Sequence, residues 1–233
     1  MNIIGEKYRK AEESKEKAAE AVGRKADDVL IIAVSKTKTA DEINQAIDAG
    51  VTDIGENKVQ EIVDKFDKVK PVRWHMIGHL QTNKVKYIID KVDLIHSVDS
   101  LRLAMEINRR AEQHNKVMEI LIQINAAQEE SKFGVSVEDV DGLLNDILDN
   151  CPNIRVCGFM CIAPYEEDPN DVAVYFHKVK YLYEKYKKTI HPGADFKYLS
   201  MGMSHDYKVA IAEGSNMIRI GTAIFGERNY NRL

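Results

Sequence analysis

The sequence predicts an α/β protein: a single (β/α)8 TIM barrel with an extra N-terminal helix. Two observations predict it. Short apolar, β-rich runs alternate with amphipathic helical patterns along the whole chain, in about eight units, the number that closes a parallel barrel. Several of the runs are almost continuously apolar, as strands buried on both faces are. An open doubly wound sheet is the alternative. Against it, no G-x-G-x-x-G opens the first helix. No Pro/Gly/Ser linker divides the 233 residues. The expected organisation is one domain over 1–233: a helical extension at 1–28, a barrel at 29–226 and a tail at 227–233.

The elements follow in order. The charged segment 5–22 reads as a helix with Tyr8, Ala11, Ala18 and Val22 inward. Strand runs fall at 29–35, 51–56, 72–78, 92–98, 118–125, 154–160, 196–202 and 216–226. Thr39 and Glu42 fit a capping box for a helix that stops at Gly50. Val59, Ile62, Val63 and Phe66 share the next helical face. Ser136 and Asp139 hold capping positions before a stripe of Val140, Leu143, Leu144 and Ile147. Val172, Phe176, Val179, Leu182 and Tyr186 stripe the helix after that. "SHDYKVAIAEG" reads as a helix beginning near Ser204 and closing on Gly214.

Composition narrows the function. A net charge of −4 gives no electrostatic footprint for nucleic acid. The opening residues lack the apolar core of a signal peptide. No apolar run approaches the roughly 18 residues that span a bilayer. Cys151, Cys157 and Cys161 form an odd set without CxxC spacing, which argues against a disulfide framework or a zinc site. A reducing cytoplasm is the expected compartment. His75 and His79 lack a carboxylate at metal-binding spacing. His96 and His205 read as surface or cap residues, and Trp74 as core.

Barrels carry their chemistry at the C-terminal ends of the strands. There the first strand delivers Ser35, Lys36 and Lys38. The second delivers Glu56 and Asn57, the third His75 and His79, the fifth Asn125 and the sixth Met160. The last two strands end in "SMGMS" and "RIGT". Barrels often hold phosphate with the loops after strands seven and eight and a helix N-terminus. Ser204, Gly221 and Thr222 therefore read together as a phosphate cradle. In a closed barrel Lys36 lies beside it. An amine there either binds phosphate as a point charge or forms a Schiff base with a phosphate-bearing aldehyde or ketone. A solvated strand-end lysine is the plain alternative.

"AVSKTK", "GENKVQE", "WHMIGHLQTNK", "ESKFG", "LSMGMSHD" and "RIGTAIFG", in that order from residue 33 to residue 226, together resemble the pyridoxal phosphate homeostasis proteins. These are single-domain relatives of the alanine racemase N-terminal barrel. The resemblance implies pyridoxal 5′-phosphate held on Lys36 as an internal aldimine. It implies Ser204, Gly221 and Thr222 at the phosphate, with Ser200 as a further candidate. It implies Arg219 facing the pyridine nitrogen, and Asn57, His79 and Met160 along the ring or pocket rim. A donor-only arginine favours an unprotonated pyridine and a weaker electron sink than a carboxylate would.

Racemisation needs acid–base groups on both faces of the substrate carbon. In alanine racemases a tyrosine from a second domain supplies one of them, and no such domain is expected here. Tyr230 is read as a tail residue. The expected role is therefore vitamin B6 homeostasis: a monomer that carries the cofactor and delivers it to apo-forms of pyridoxal-dependent enzymes. The alternatives are a pyridoxal-dependent amino-acid racemase or lyase, and a cofactor-free barrel enzyme acting on a sugar phosphate.

Overall fold

The computed structural model describes residues 2–129, 132–188 and 191–227. Tyr230, and Glu130 and Ser131 of the "ESKFG" block, lie outside them. β1 (Leu30–Val34), β2 (Asp53–Glu56), β3 (Arg73–Met76), β4 (Leu94–Val98), β5 (Met118–Ile124), β6 (Ile154–Cys161), β7 (Ala194–Met203) and β8 (Met217–Ile220) form a closed barrel in sequence order. Every pairing is parallel, and β8 closes onto β1 from Leu30–Met217 to Ala33–Ile220.

Strand alternation sorts the side chains. Ile32, Leu94, Leu121, Cys157, Met160 and Met217 form one buried cluster inside the barrel. Ile31, Ala33, Ile95, Ile120, Ile122, Ile218 and Ile220 belong to the larger core between barrel and helices. Both faces of each strand are thus buried, which is why the runs read as continuously apolar.

The helices are α1 (Ile3–Glu20), α2 (Ala40–Ile47), α3 (Val59–Lys65), α4 (Leu101–Gln113), α5 (Val140–Asn150), α6 (Ala173–Lys187), α7 (Tyr207–Ala212) and α8 (Thr222–Phe225). A 3₁₀ segment, Thr82–Tyr87, joins β3 to β4. The Thr39–Glu42 capping box is present, with Thr39 Oγ1 accepting from the Glu42 N–H. Val140, Leu143, Leu144 and Ile147 are buried as expected.

Three expectations need correction. α1 ends at Glu20 and Val22 is exposed, so the inner face runs through Ile4, Tyr8, Ala11, Ala18 and Ala19. The α6 stripe packs on the core as expected, Tyr186 partly buried against Phe159 and Phe196, with Tyr183 buried beside it. The run 216–226 is not one strand: it breaks at Gly221 into β8 and α8. α7 begins at Tyr207 rather than near Ser204, because the Asp206 carboxylate turns back to accept from the Met203 N–H. His96 is also misplaced by sequence reasoning, being wholly buried inside the barrel.

Gly158 lies where β6 shifts register against β7. Its φ is +141°, and an added Cβ would run into the Tyr198 carbonyl. Left-handed backbone and a backbone clash together demand glycine. Gly158→Ala is expected to cost about 3 kcal/mol, lowering the melting temperature by roughly 6 °C or more in a calorimetric scan.

Candidate functional site

A cavity of about 460 Å³ opens at the C-terminal mouth of the barrel. That size suits a small ligand or cofactor. A larger groove of about 710 Å³ lies along α4, with Leu101, Met105 and Arg109 on its wall, and shares no lining residue with the mouth cavity. The mouth cavity is the one that gathers the chemistry.

Six of the nine expected residues line it: Lys36, Asn57, Ser204, Arg219, Gly221 and Thr222. Three do not. His79 is exposed and stacks on Phe133, ring centroids 3.7 Å apart. Met160 points into the sealed interior, fully buried. Ser200, also fully buried, stands behind Arg219 rather than at the phosphate loops. Sequence reasoning missed Val34, Ile77 and Ile162, which give the cavity its apolar walls, and Tyr165 and His205 at its rim, beside Met203. Tyr165 and His205 stack at 5.0 Å. They come from loops after β6 and β7, where no periodic pattern marks a side chain's direction.

The backbone around Lys36 is pinned on both sides. Before it, Ser35 is buried and donates to Glu56 Oε1 at 2.7 Å. After it, Thr37 takes a φ of +65°, uncommon for a β-branched residue. The Glu61 carboxylate holds that turn by accepting from the Thr37 N–H at 2.6 Å. Lys65 ties the set together, donating to Ser35 O, Glu56 and Glu61 at 3.1, 2.9 and 2.7 Å. Lys38 donates to the Phe225 carbonyl at 3.0 Å. It thereby fastens α8 to the loop that carries Lys36.

α8 supplies the other wall. The first N–H groups of a helix lack acceptors within the helix and favour an anion. Gly221 precedes them with an ordinary φ of −112°. An added Cβ there would meet Val34 at 3.4 Å, an ordinary contact. Neither backbone nor packing requires glycine at 221, so the space it leaves belongs to the cavity.

Arg219 forms the floor. It is 4% exposed. It donates to Ser200 O, Ser200 Oγ and Cys161 O at 2.8, 2.7 and 2.8 Å. Burial pulls its guanidinium down to about 10, still charged at neutral pH. Asn57 Oδ1 is buried with no hydrogen-bond partner among the described residues, a cost that a ligand donor would remove. An amine, a buried guanidinium, a helix N-terminus and an orphan acceptor on one cavity fit a ligand with an aldehyde, an aromatic nitrogen and a phosphate.

Fold and site thus define a (β/α)8 barrel protein whose mouth gathers an amine, a guanidinium and a helix start around one cavity. The model of the alanine racemase N-terminal domain matches residues 16–229. A pyridoxal phosphate homeostasis protein of Aquifex aeolicus is 43% identical over 92% of this chain and 94% of its own. A protein of unknown function from Bifidobacterium adolescentis superposes with a TM-score of 0.88 at 32% identity, covering 95% of this chain and 94% of that one. PipY of Synechococcus elongatus, with pyridoxal phosphate bound, superposes at 0.76 and 32% identity over 85% of this chain and 93% of that one. The chain belongs to the alanine racemase N-terminal-domain family, among the pyridoxal phosphate homeostasis proteins.

Glu56 gives the site a pH signature. Burial pushes its carboxyl up to about 7, against the pull of Lys65 and the Ser35 hydroxyl. The folded chain keeps a proton that the unfolded chain has lost above its ordinary 4.5. The group's stabilising contribution is therefore complete below about 4.5 and lost as pH rises through 7. In urea titrations, the stability of wild type relative to Glu56→Gln is expected to fall by about 3 kcal/mol between pH 4 and pH 8.

Proposed function

We propose that the barrel mouth binds pyridoxal 5′-phosphate, with Lys36 as the amine that takes its aldehyde, and that the protein serves vitamin B6 homeostasis by holding and releasing that cofactor. The observation that carries the reading is convergence: Lys36, Arg219 and the start of α8 line one cavity. The family supports it, since relatives are named for pyridoxal phosphate homeostasis and PipY is described with the cofactor bound.

The chain's own residues divide the work. Thr222 and Ser204 offer hydroxyls, and α8 its N–H groups, to the phosphate. Gly221 lets the phosphate approach the backbone. Arg219, a donor only, presents hydrogen to the pyridine nitrogen and leaves it without a proton of its own. Val34, Ile77 and Ile162 exclude water from the ring. The bound cofactor supplies an electrophilic carbon and an electron sink, and against an arginine that sink is a weak one. Holding the reactive aldehyde on a reversible covalent link suits carriage. The recipients in this reading are apo-forms of pyridoxal-dependent enzymes, reached in the cytoplasm by a monomer. Among the described residues no helix is long and apolar enough to cross a membrane.

A racemase or lyase is the second reading. Tyr165 and His205 favour it, as titratable groups at the cavity rim. Rapid amino-acid turnover, abolished in Lys36→Ala, would replace carriage with catalysis.

The test is the visible spectrum of the protein with added pyridoxal phosphate, before and after borohydride. Wild type is expected to turn yellow, with the label fixed on the peptide holding Lys36. Lys36→Ala should take no label. Gly221→Ala should fold as wild type does but bind about tenfold more weakly, because its methyl group occupies phosphate space. A wild type that stays colourless would sink the cofactor reading and leave Lys36 as a phosphate-binding charge.

A further inference from the structure

A line of buried polar groups crosses the barrel interior behind Arg219. Asp53 opens β2, at the N-terminal end of the barrel, and accepts from His75 of β3, Nε2 to Oδ1 at 2.8 Å. His75 Nδ1 lies 2.9 Å from His96 Nε2, on β4. His96 Nδ1 lies 3.1 Å from Ser200 Oγ, on β7. Ser200 Oγ in turn accepts from Arg219 of β8 at 2.7 Å. His75, His96 and Ser200 are wholly buried. Burying this many polar groups is costly unless all are paired. Among the described residues no group of three or more His, Cys, Asp and Glu is placed to hold a metal, so the line is not a metal site.

The chemistry of its two ends fixes its direction. A guanidinium only donates and a carboxylate only accepts. Asp53 takes the hydrogen of His75 Nε2, so a neutral His75 accepts at Nδ1 from His96, and the Ser200 hydroxyl, which accepts from Arg219, gives its hydrogen to His96 Nδ1. His96 then carries its hydrogen on Nε2 and donates to His75 Nδ1. His75 carries its hydrogen on Nε2 and donates to Asp53. Thr52 Oγ1 donates to the other Asp53 oxygen at 2.7 Å, and Arg73 lies 3.3 Å from the first. With both imidazoles neutral, this arrangement gives every donor an acceptor.

We propose that His75, His96 and Ser200 form a one-way hydrogen-bond relay, anchored on Asp53, that positions Arg219 as a fixed donor for the cofactor's ring nitrogen. The role toward the cofactor rests on the functional reading above; the relay itself does not. His75 and His96 are positioning residues: each bond pulls electron density toward Ser200 Oγ and strengthens its hold on Arg219. Three of the five guanidinium hydrogens are committed to Ser200 and Cys161, which turns the plane and leaves the others for the cavity. The charged groups acting on the two imidazoles are Asp53 of β2, Arg73 of β3 and Arg219 of β8, with Tyr198 of β7 against Arg73 and Cys161 of β6 against Arg219. Burial, then His75, Arg219 and Arg73, hold His96 well below the usual imidazole range. At Asp53, burial opposes ionisation but the bonds from His75 and Thr52 outweigh it, keeping the carboxyl below its ordinary value.

Long-range ¹H–¹⁵N spectra of histidine-labelled protein, without cofactor, read the tautomers directly. His75 and His96 are both expected to carry hydrogen on Nε2 at neutral pH. A hydrogen on Nδ1 of either ring would overturn the relay. With pyridoxal phosphate added, His96→Phe should still be fixed to Lys36 by borohydride at saturation. Its visible band should shift and its affinity fall about tenfold. His96→Asn can still accept from Ser200 and should recover most of both. A His96→Phe protein with wild-type spectrum and affinity would overturn the positioning role. A wild type that takes no cofactor would sink the functional reading alone, and a His96→Phe protein that fails to fold would leave the tautomer spectrum to decide the relay.

Discussion

The pairing of β8 with β1 is what the candidate site depends on. Lys36 and the Gly221–Thr222 turn lie about 185 residues apart in the chain. They share a cavity because Ala33 pairs with Ile220, so the two strands emerge side by side. A register slip of one residue would turn Arg219 out of the barrel and Ile220 into it. The two buried faces oppose such a slip, since Ile218 and Ile220 belong to the helix-facing core while Met217 belongs to the interior. The amine's position thus rests on apolar packing well below the mouth.

Closure places the elements, and local polar contacts then fix the angles. Lys65 gathers Ser35, Glu56 and Glu61 beneath the turn that follows Lys36, and Lys38 holds the end of α8. These lysines act as struts. Buried charges of this kind are stabilising only while each keeps its partners. The same rule governs the interior line from Asp53 to Arg219. Most of the barrel interior is filled by apolar side chains, and this chain adds a polar path among them. That path links the rim at the N-terminal end, where Arg73 is half-exposed, to the floor of the cavity.

Much of this was legible in the sequence. The strand runs, the eight-fold alternation and the Thr39–Glu42 box depend on local periodicity and local hydrogen bonds, and they appear where the sequence places them, except that the run 216–226 breaks at Gly221. Lys36, Gly221 and Thr222 were legible because strand ends in a barrel have only one mouth to reach. The misreadings have physical causes. His96 looked like a surface residue because nothing local shows that Ser200 and His75, from other strands, will pair with it. Ser200 was implied at the phosphate by the family resemblance, yet it lies on β7 with its hydroxyl turned to Arg219 and His96. His79 follows Gly78 at a strand end, where alternation stops predicting direction, and Phe133 takes its ring instead. The α7 boundary was misplaced because Asp206 competes with Ser204 for the turn.

What the sequence by itself determined was the parallel barrel, the order of its units and the strand that leads to Lys36. Period-two and period-3.6 hydrophobicity are properties of neighbours along the chain, and they survive without tertiary structure. Only the tertiary structure decided which polar side chains turn inward and whom they meet. Asp53, His75, His96, Ser200 and Arg219 come from five strands, and their pairing exists only once the barrel closes. A buried polar group takes its meaning from its partner, and here each partner is a different stretch of chain.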